Sequence, residues 1–505
     1  MKIGVIGAGI SAIAFARVLK RFSHEVIIFE KADCIGGIWA QAYPEVRLQN
    51  SYEQYHLSDL GWPEQPDQHP TARQILDYMN MAVSIYKLDV RLQHEVLSLN
   101  RSASGWSMLV NGEHGEERFD FDFVVVSIGQ YNEGKHRPEF AGEDDFAGTI
   151  ITERDVKSLE QFRDQRVAVV GFGKSAVDMA SFAARKTKAV THVFRTPRWL
   201  IPFHPLGVHY SRLLFARAST VFMPCWVHSG GAERWIHTRA GFVVRRFWKL
   251  IEGIVRRHIS AHAKYGDENA KARLACVTPA HDFERDMRSA TAMAPIDYFK
   301  QIATGDIEPH HQNLKGFNAS GLVLEDGSEL EADTVVLSVG SKTPSFPFFD
   351  DEIRELIERE NDGLQLYRHL IHPDIPDLAF AGYNHGFLHI PTAEIGALWI
   401  GAMLEGDFKL PSAPLMHASI DRIRDWKRAH VQYEPSRSCA VSTRFQQYLD
   451  AMLRELGISP FRKLPNVFAE FGARYGAADY AGVVDEYLAK RNNQSALDIQ
   501  LSLDM

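Results

Sequence analysis

The chain has 505 residues, 45% of them apolar and 24% charged, which is enough for roughly two to four domains with proper cores and excludes disorder as its main state. A net charge of −8 gives no basic field, so nucleic acid is excluded as a general partner and small molecules become the default. Cys34, Cys225, Cys276 and Cys439 lie far apart, without the spacing of a disulfide framework or a zinc site, so a reducing, cytoplasmic setting is expected.

The first element is "KIGVIGAGISAIAFARVL", from Lys2 to Leu19, which reads as a strand, a glycine turn and a helix. Its apolar stretch could pass for a signal peptide, but the glycines fall at turn spacing and a second strand, "EVIIFE", follows. Gly7 permits the tight bend, Gly9 lets the backbone approach a pyrophosphate, and Ala12 stands where a third small residue packs helix on strand. Glu30 ends the second strand at about the ~20-residue spacing at which a carboxylate accepts from ribose hydroxyls. The segment "CIGGIW" then brings Gly37 and Trp39 close to the same ligand, and the strand "FVVVSIG" ends at Gly129.

A second unit repeats the pattern. "VAVVGFGKSAVDMA", residues 167–180, supplies Gly171, Gly173 and Ala176, with Lys174 and Ser175 opening its helix, and "TVVLSVG" ends at Gly340. The strand that would supply the acid ends in "HVFRTPRW", which places Arg195 at the position of Glu30. A guanidinium there binds a 2′-phosphate that a carboxylate would repel, so NADPH is expected over NADH, with Arg198 as helper; the plain alternative is a solvated strand-end cation. "GKS" is no phosphate-binding loop of the triphosphatase kind, because Ala168 stands where that loop needs glycine. His258 and His262 share a helical face without the glutamate of a zinc-protease motif, so they read as an exposed face and no metal is expected.

The second unit is longer than the first. The excess falls at about 205–300, where helical, arginine- and aromatic-rich stretches replace strand patterning. This insertion is expected to cover the substrate entrance, with docking to a membrane surface as the rival. No uninterrupted apolar run of about 18 residues appears. "IPDLAFAGYNHG" and "PTAEIGALWIGAMLEG" read as a strand and a helix that return to the first unit, and charged amphipathic helices follow from 413. The expected fold is thus α/β, with two tandem Rossmann-like dinucleotide-binding domains, a helical insertion and a helical C-terminal extension. The boundaries are 1–165 for the first part of the first dinucleotide-binding domain, 166–335 for the NADPH domain, 336–412 for the return and 413–505 for the extension.

Two such sites in tandem suit one tightly held flavin and one nicotinamide that donates hydride to it. Only one cysteine stands near "CIGGIW", so thiol chemistry is not expected. Taken together, "GAGISA", "GGIW", "VRLQNSYEQYHLSDLGWPEQPDQHPTARQILDYM", "VVVSIGQYN", "GFGKSAVD", "FRTPRW" and "VVLSVG…FPFF" resemble the flavin-containing monooxygenases. That family includes the Baeyer-Villiger and N-hydroxylating enzymes, and the resemblance covers about 1–205 and 330–412.

The resemblance implies an FAD reduced by NADPH, a flavin C4a-(hydro)peroxide formed with O₂, and transfer of one oxygen atom to a small organic substrate. It also implies that Asn50 of "LQNSY" lies by the flavin as the catalytic asparagine; a slip of one would make it Gln49, and a plain turn residue is the other reading. The chain departs from the family fingerprint at "FAGTIITERDV", where Thr152 and Val156 replace a histidine and an aromatic residue. "YPEVRLQN" lacks the aspartate typical of Baeyer-Villiger enzymes, which favours N- or S-oxygenation over ester or lactone formation. An NADPH oxidase or reductase without substrate oxygenation is the alternative of a different class.

Overall fold

The computed structural model describes residues 1–131, 133–187, 189–289, 292–435, 437–493 and 501; Asn132 of the "VVVSIGQYN" motif lies outside the described residues. In the first unit, β1 (Lys2–Ile6), α1 (Ile10–Lys20) and β2 (Glu25–Phe29) are followed by α2 (Ala72–Tyr86) and β3 (Asp89–Arg91). An antiparallel meander, β4 (Glu95–Ser102), β5 (Gly105–Gly112) and β6 (Gly115–Phe121), leads into β7 (Phe123–Val126). The apolar runs of β1, β2 and β7 carry no alternation because a parallel sheet is covered on both faces.

In the second unit, β8 (Thr149–Thr152), β9 (Arg166–Val170), α3 (Lys174–Ala183) and β10 (Ala189–Val193) lead to the short strand β11 (Leu200–Ile201). Six helices follow, α4 (Ser211–Leu214), α5 (Arg217–Thr220), α6 (Gly231–Arg239), α7 (Gly241–Ser260), α8 (Ala270–Cys276) and α9 (Phe283–Met287). The strand β12 (Ala292–Met293) pairs with β11 and closes this helical excursion at its base. Then come α10 (Tyr298–Thr304), β13 (Ile307–His310), the meander β14 (Leu314–Asn318), β15 (Gly321–Leu324) and β16 (Glu329–Glu331), and β17 (Thr334–Leu337).

The chain returns through α11 (Asp351–Ile357), β18 (Leu378–Phe380) and α12 (His389–Leu404), and ends in α13 (Ala413–His430), α14 (Phe445–Glu455), α15 (Val467–Gly472) and α16 (Val483–Asn493). Two parallel five-stranded sheets result, ordered β18-β7-β1-β2-β3 and β13-β10-β9-β17-β8. The units correspond strand for strand, down to a three-stranded meander in each. β8 completes the second sheet although it lies before residue 166, and β18 completes the first although it comes after the whole second unit. The chain therefore enters the second sheet one strand earlier than the 165/166 boundary.

α12 is buried over nearly all its length, so it carries no polar face, and it packs against α1. Between them Arg17 of α1 pairs with Glu394 of α12 and with Asp59, while the Ser58 N–H donates to Glu394 at 2.9 Å. Among the described residues, no helix is long and apolar enough to cross a membrane.

The insertion is bound to the C-terminal extension by buried charge. Arg217, 5% exposed, donates from Nη1 and Nη2 to the two carboxylate oxygens of Asp450 at 2.6 and 2.9 Å, and from Nε to Glu470. Arg217→Met leaves both carboxylates buried without their cation, a loss expected to cost about 3–5 kcal/mol. Urea unfolding read by far-UV circular dichroism checks this, with a fall in midpoint at unchanged slope as the expected outcome.

Candidate functional site

The first turn owes its shape to Gly7, whose φ is +97° and whose N–H donates to the Phe29 carbonyl at 2.7 Å. A Cβ there would lie 2.5 Å from the Ser127 carbonyl oxygen, so no other residue fits. At Gly9, by contrast, a Cβ would meet nothing within 4 Å, which leaves an open face at the N-terminus of α1. Ala12 is fully buried. Gly37, at φ +55°, runs against this turn, its Cβ direction ending 3.3 Å from the Gly9 Cα, and the Gly36 N–H donates to the Ala8 carbonyl at 3.1 Å.

Glu30 closes the other side, its carboxylate accepting from the N–H groups of Ala8 at 2.8 Å and Ala32 at 3.0 Å. The Trp39 indole N–H donates to the Tyr55 hydroxyl at 2.8 Å. These contacts make a cradle with open space at the helix end, the form a pyrophosphate needs.

The second turn has the same construction. Gly171, at φ +123°, would bring a Cβ 2.2 Å from the Ser338 carbonyl oxygen, its N–H donates to Val193 at 2.9 Å, and Gly173 faces open space. Gly129 and Gly340 hold equivalent left-handed positions, φ +76° and +110°, with open space beside each. A cleft of about 560 Å³ opens at Gly340, with Glu133, His136 and Lys342 among its lining residues.

Three sequence readings change at this turn. The Phe194 N–H donates to His310 as the Glu30 N–H does to Arg91, so buried Phe194, not Arg195, occupies the position of Glu30. The sheet register shifts Arg195 one residue outward, where it is exposed at the strand end, with its carbonyl accepting from His311 at 3.0 Å. Arg198 turns away toward the C-terminal extension, donating to Gln432 at 3.1 Å and lying 3.7 Å from Asp286. Lys174 folds back on its own helix to Asp178 at 2.6 Å, with Ser175 beside it.

Asp178 also accepts from the Tyr43 hydroxyl at 2.7 Å. Tyr43 follows the "GGIW" segment of the first unit, so this bond joins the two turns across their cleft. Burial pushes the carboxyl of Asp178 up, against the pull of Lys174, and holds the Tyr43 phenol protonated as the donor.

Asn50 lies one element further into the same region. Its Nδ2 donates to the Phe387 carbonyl at 2.5 Å, in the segment just before α12, and its own carbonyl is held by His69 Nδ1 at 3.0 Å. Gln49 serves the insertion instead, its side-chain oxygen accepting from the Met293 N–H at 2.8 Å and its carbonyl from the Tyr210 hydroxyl at 2.6 Å. Thr152 binds Asp155 through its hydroxyl and its N–H, both at 2.8 Å. The neighbouring Glu153, 1% exposed, accepts from the Ser338 hydroxyl at 3.2 Å and pairs with Lys135. Tyr43 and Glu153 lie in the stretches "YPEVRLQN" and "FAGTIITERDV", but neither is singled out as a site residue by its sequence pattern.

Residues 4–203 match the family model described as pyridine nucleotide-disulphide oxidoreductase, and residues 225–469 match the one described as flavin-binding monooxygenase-like. The comparisons support the flavin-containing monooxygenase family for this chain. It is 28% identical to a probable flavin-containing monooxygenase 1 of Arabidopsis thaliana, over 95% of this chain and 96% of the relative. It is 25% identical to dimethylaniline monooxygenase [N-oxide-forming] 2 of Rattus norvegicus, over 91% and 83%.

In fold it is similar to an open crystal structure of cyclohexanone monooxygenase, with a TM-score of 0.67 at 18% identity over 97% of this chain and 98% of the other. The relatives and neighbours support an oxidoreductase, and the flavin monooxygenase family uses FAD and NADP(H). The two cradles fit them, because both leave space where a Cβ at Gly9 or Gly173 would stand.

Proposed function

We propose that the chain holds FAD on the turn of Gly7 and Gly9, holds NADPH on the turn of Gly171 and Gly173, and transfers one atom of O₂ to a small organic substrate. Bound FAD, reduced by NADPH, supplies the electrons that activate O₂. The reading rests above all on the Tyr43–Asp178 bond, which keeps the helix of the second cradle against the chain leaving the first. Glu30 accepts from the ribose hydroxyls, Gly9 admits the pyrophosphate, and Asn50 fixes the segment before α12 while shielding the reacting centre from water. The four free cysteines accord with a cytoplasmic setting.

For the outcome of oxygen transfer we favour N- or S-oxygenation. The run from Tyr43 to Asn50 has no aspartate, and its one acid, Glu45, pairs with Arg185 at the surface. The relatives include one named for N-oxide formation. Parallel assays with N,N-dimethylaniline and cyclohexanone test this: the N-oxide is the expected product, and lactone in its place makes the chain a Baeyer-Villiger enzyme.

Arg195 remains the proposed reader of the 2′-phosphate from its exposed place at the strand end. Arg195→Ala is expected to weaken NADPH about tenfold and NADH hardly at all, the scale of one charge-assisted contact at a solvent-facing site. Rates of anaerobic flavin reduction against each nucleotide check it. A variant that keeps the full NADPH preference places the phosphate contact elsewhere.

A further inference from the structure

The seam between the insertion and the C-terminal extension carries positive charge that its acids answer only in part. Arg444 is fully buried, donates to the carbonyls of Arg288 at 3.0 Å and Ala440 at 3.3 Å, and leaves Nε without a partner. Lys427, 2% exposed, has its ammonium 2.6 Å from His369 Nε2 and 4.8 Å from the Trp226 ring centre. Among the described residues neither forms an ion pair with a carboxylate. Asp362 is taken by Arg428 and Arg437, and the charge of Glu434 is shared among Arg198, Arg444 and Arg437. Burial pulls the Lys427 ammonium down to about 7 and the Arg444 guanidinium down to about 10, the response of cations that lack counter-charge.

Over this pair lies a cavity of about 370 Å³ between α6, α7 and α9 of the insertion and α13 of the extension. Its lining includes Arg245, Arg288, His228 and Trp426, with Glu284 as its acid. Glu284 is engaged by Nη2 of Arg288, while Arg288 Nε is buried without a hydrogen-bond partner and His228 Nδ1 lies 3.8 Å from the Glu233 carboxylate. Trp426 in the lining is stacked on His430, 4.5 Å between ring centres, and has the Arg444 guanidinium 5.7 Å from its own centre.

We propose that this cavity binds a small organic carboxylate, held by Arg288 and Arg245. The unpartnered Arg288 Nε needs an acceptor, the nearby charge of Arg444 and Lys427 favours a negative one, and the volume suits a ligand of one ring. The seam adjoins the nucleotide cleft, because Ser442 accepts from the Phe387 N–H at 3.1 Å and the Phe387 carbonyl accepts from Asn50. The assignment does not depend on oxygen transfer, since binding is its only content.

Calorimetric titration of the FAD-loaded protein with benzoate and with the neutral, equally sized benzamide tests it. Benzoate is expected to bind at least about tenfold tighter, and Arg288→Gln to remove about tenfold of that affinity while hardly changing benzamide. Arg245 is exposed, so Arg245→Gln keeps the fold and is expected to weaken benzoate severalfold, which decides the matter if Arg288→Gln does not fold. Equal affinities for the two probes, binding of neither, or benzoate affinity unchanged in Arg245→Gln overturns the assignment.

Discussion

Gly9→Val is expected to give a folded, colourless protein. An added Cβ at Gly9 meets nothing within 4 Å, so the apoprotein accommodates the side chain without displacing a neighbour. The backbone there is extended, φ −77° and ψ 174°, which a β-branched residue adopts readily. The two methyl groups then stand in the space at the helix end where a pyrophosphate would sit, and the N–H groups of α1 lose access to it. Loss of one set of charge-assisted backbone contacts together with steric exclusion is expected to lower flavin affinity by at least about a thousandfold, on the order of 4 kcal/mol.

Gly7→Val is the contrasting variant. Its Cβ falls 2.5 Å from the Ser127 carbonyl at a φ of +97°, so it is expected not to fold at all. The ratio of flavin to protein absorbance after gel filtration, with circular dichroism alongside, separates the two. A yellow Gly9→Val protein would place the flavin elsewhere.

Asn50→Ala is expected to separate electron input from oxygen transfer. The variant removes the donor to the Phe387 carbonyl but not the backbone position of residue 50, which His69 Nδ1 holds at 3.0 Å from its carbonyl and 3.1 Å from that of Leu48. The loop therefore stays in place while the segment before α12 loses a tie and water gains access to the cleft. Loss of a polar contact at the reacting centre typically costs about 10²-fold or more in product formation. NADPH consumption under argon should be nearly unchanged, while in air product falls and hydrogen peroxide rises in its place. If product yield per NADPH stays at the wild-type value, Asn50 is a turn residue and nothing more.

The two cradles were legible because their geometry is local. Gly7 and Gly171 sit where the carbonyls of Ser127 and Ser338 exclude a Cβ, and such positions leave glycines at fixed spacing in the sequence. The parallel sheets were legible for a similar reason, since strands covered on both faces read as unbroken apolar runs. Position along β10 was harder. Aligning "VIIFE" with "THVFR" puts Arg195 on Glu30, whereas the ladder puts Phe194 there, a difference of one residue that only pairing to β13 fixes.

Contacts between distant segments left no trace at all. Tyr43 meets Asp178 and Arg217 meets Asp450 across long stretches of chain, and neither a lone tyrosine nor a lone arginine announces its partner. The C-terminal extension showed only amphipathic helices in sequence, yet its Val441 and Ser442 hydrogen-bond the segment that receives Asn50.

The most direct test of oxygen transfer is a stoichiometry. The FAD-loaded protein is turned over with NADPH and O₂ in the presence of N,N-dimethylaniline, and N-oxide, NADPH consumed and hydrogen peroxide released are measured in the same vessel. Oxygenated product approaching one per NADPH, with peroxide as the minor fraction, is the predicted result. NADPH consumed with peroxide as the sole product, for this amine and for a panel of sulfides and ketones, would contradict it and make the chain an NADPH oxidase.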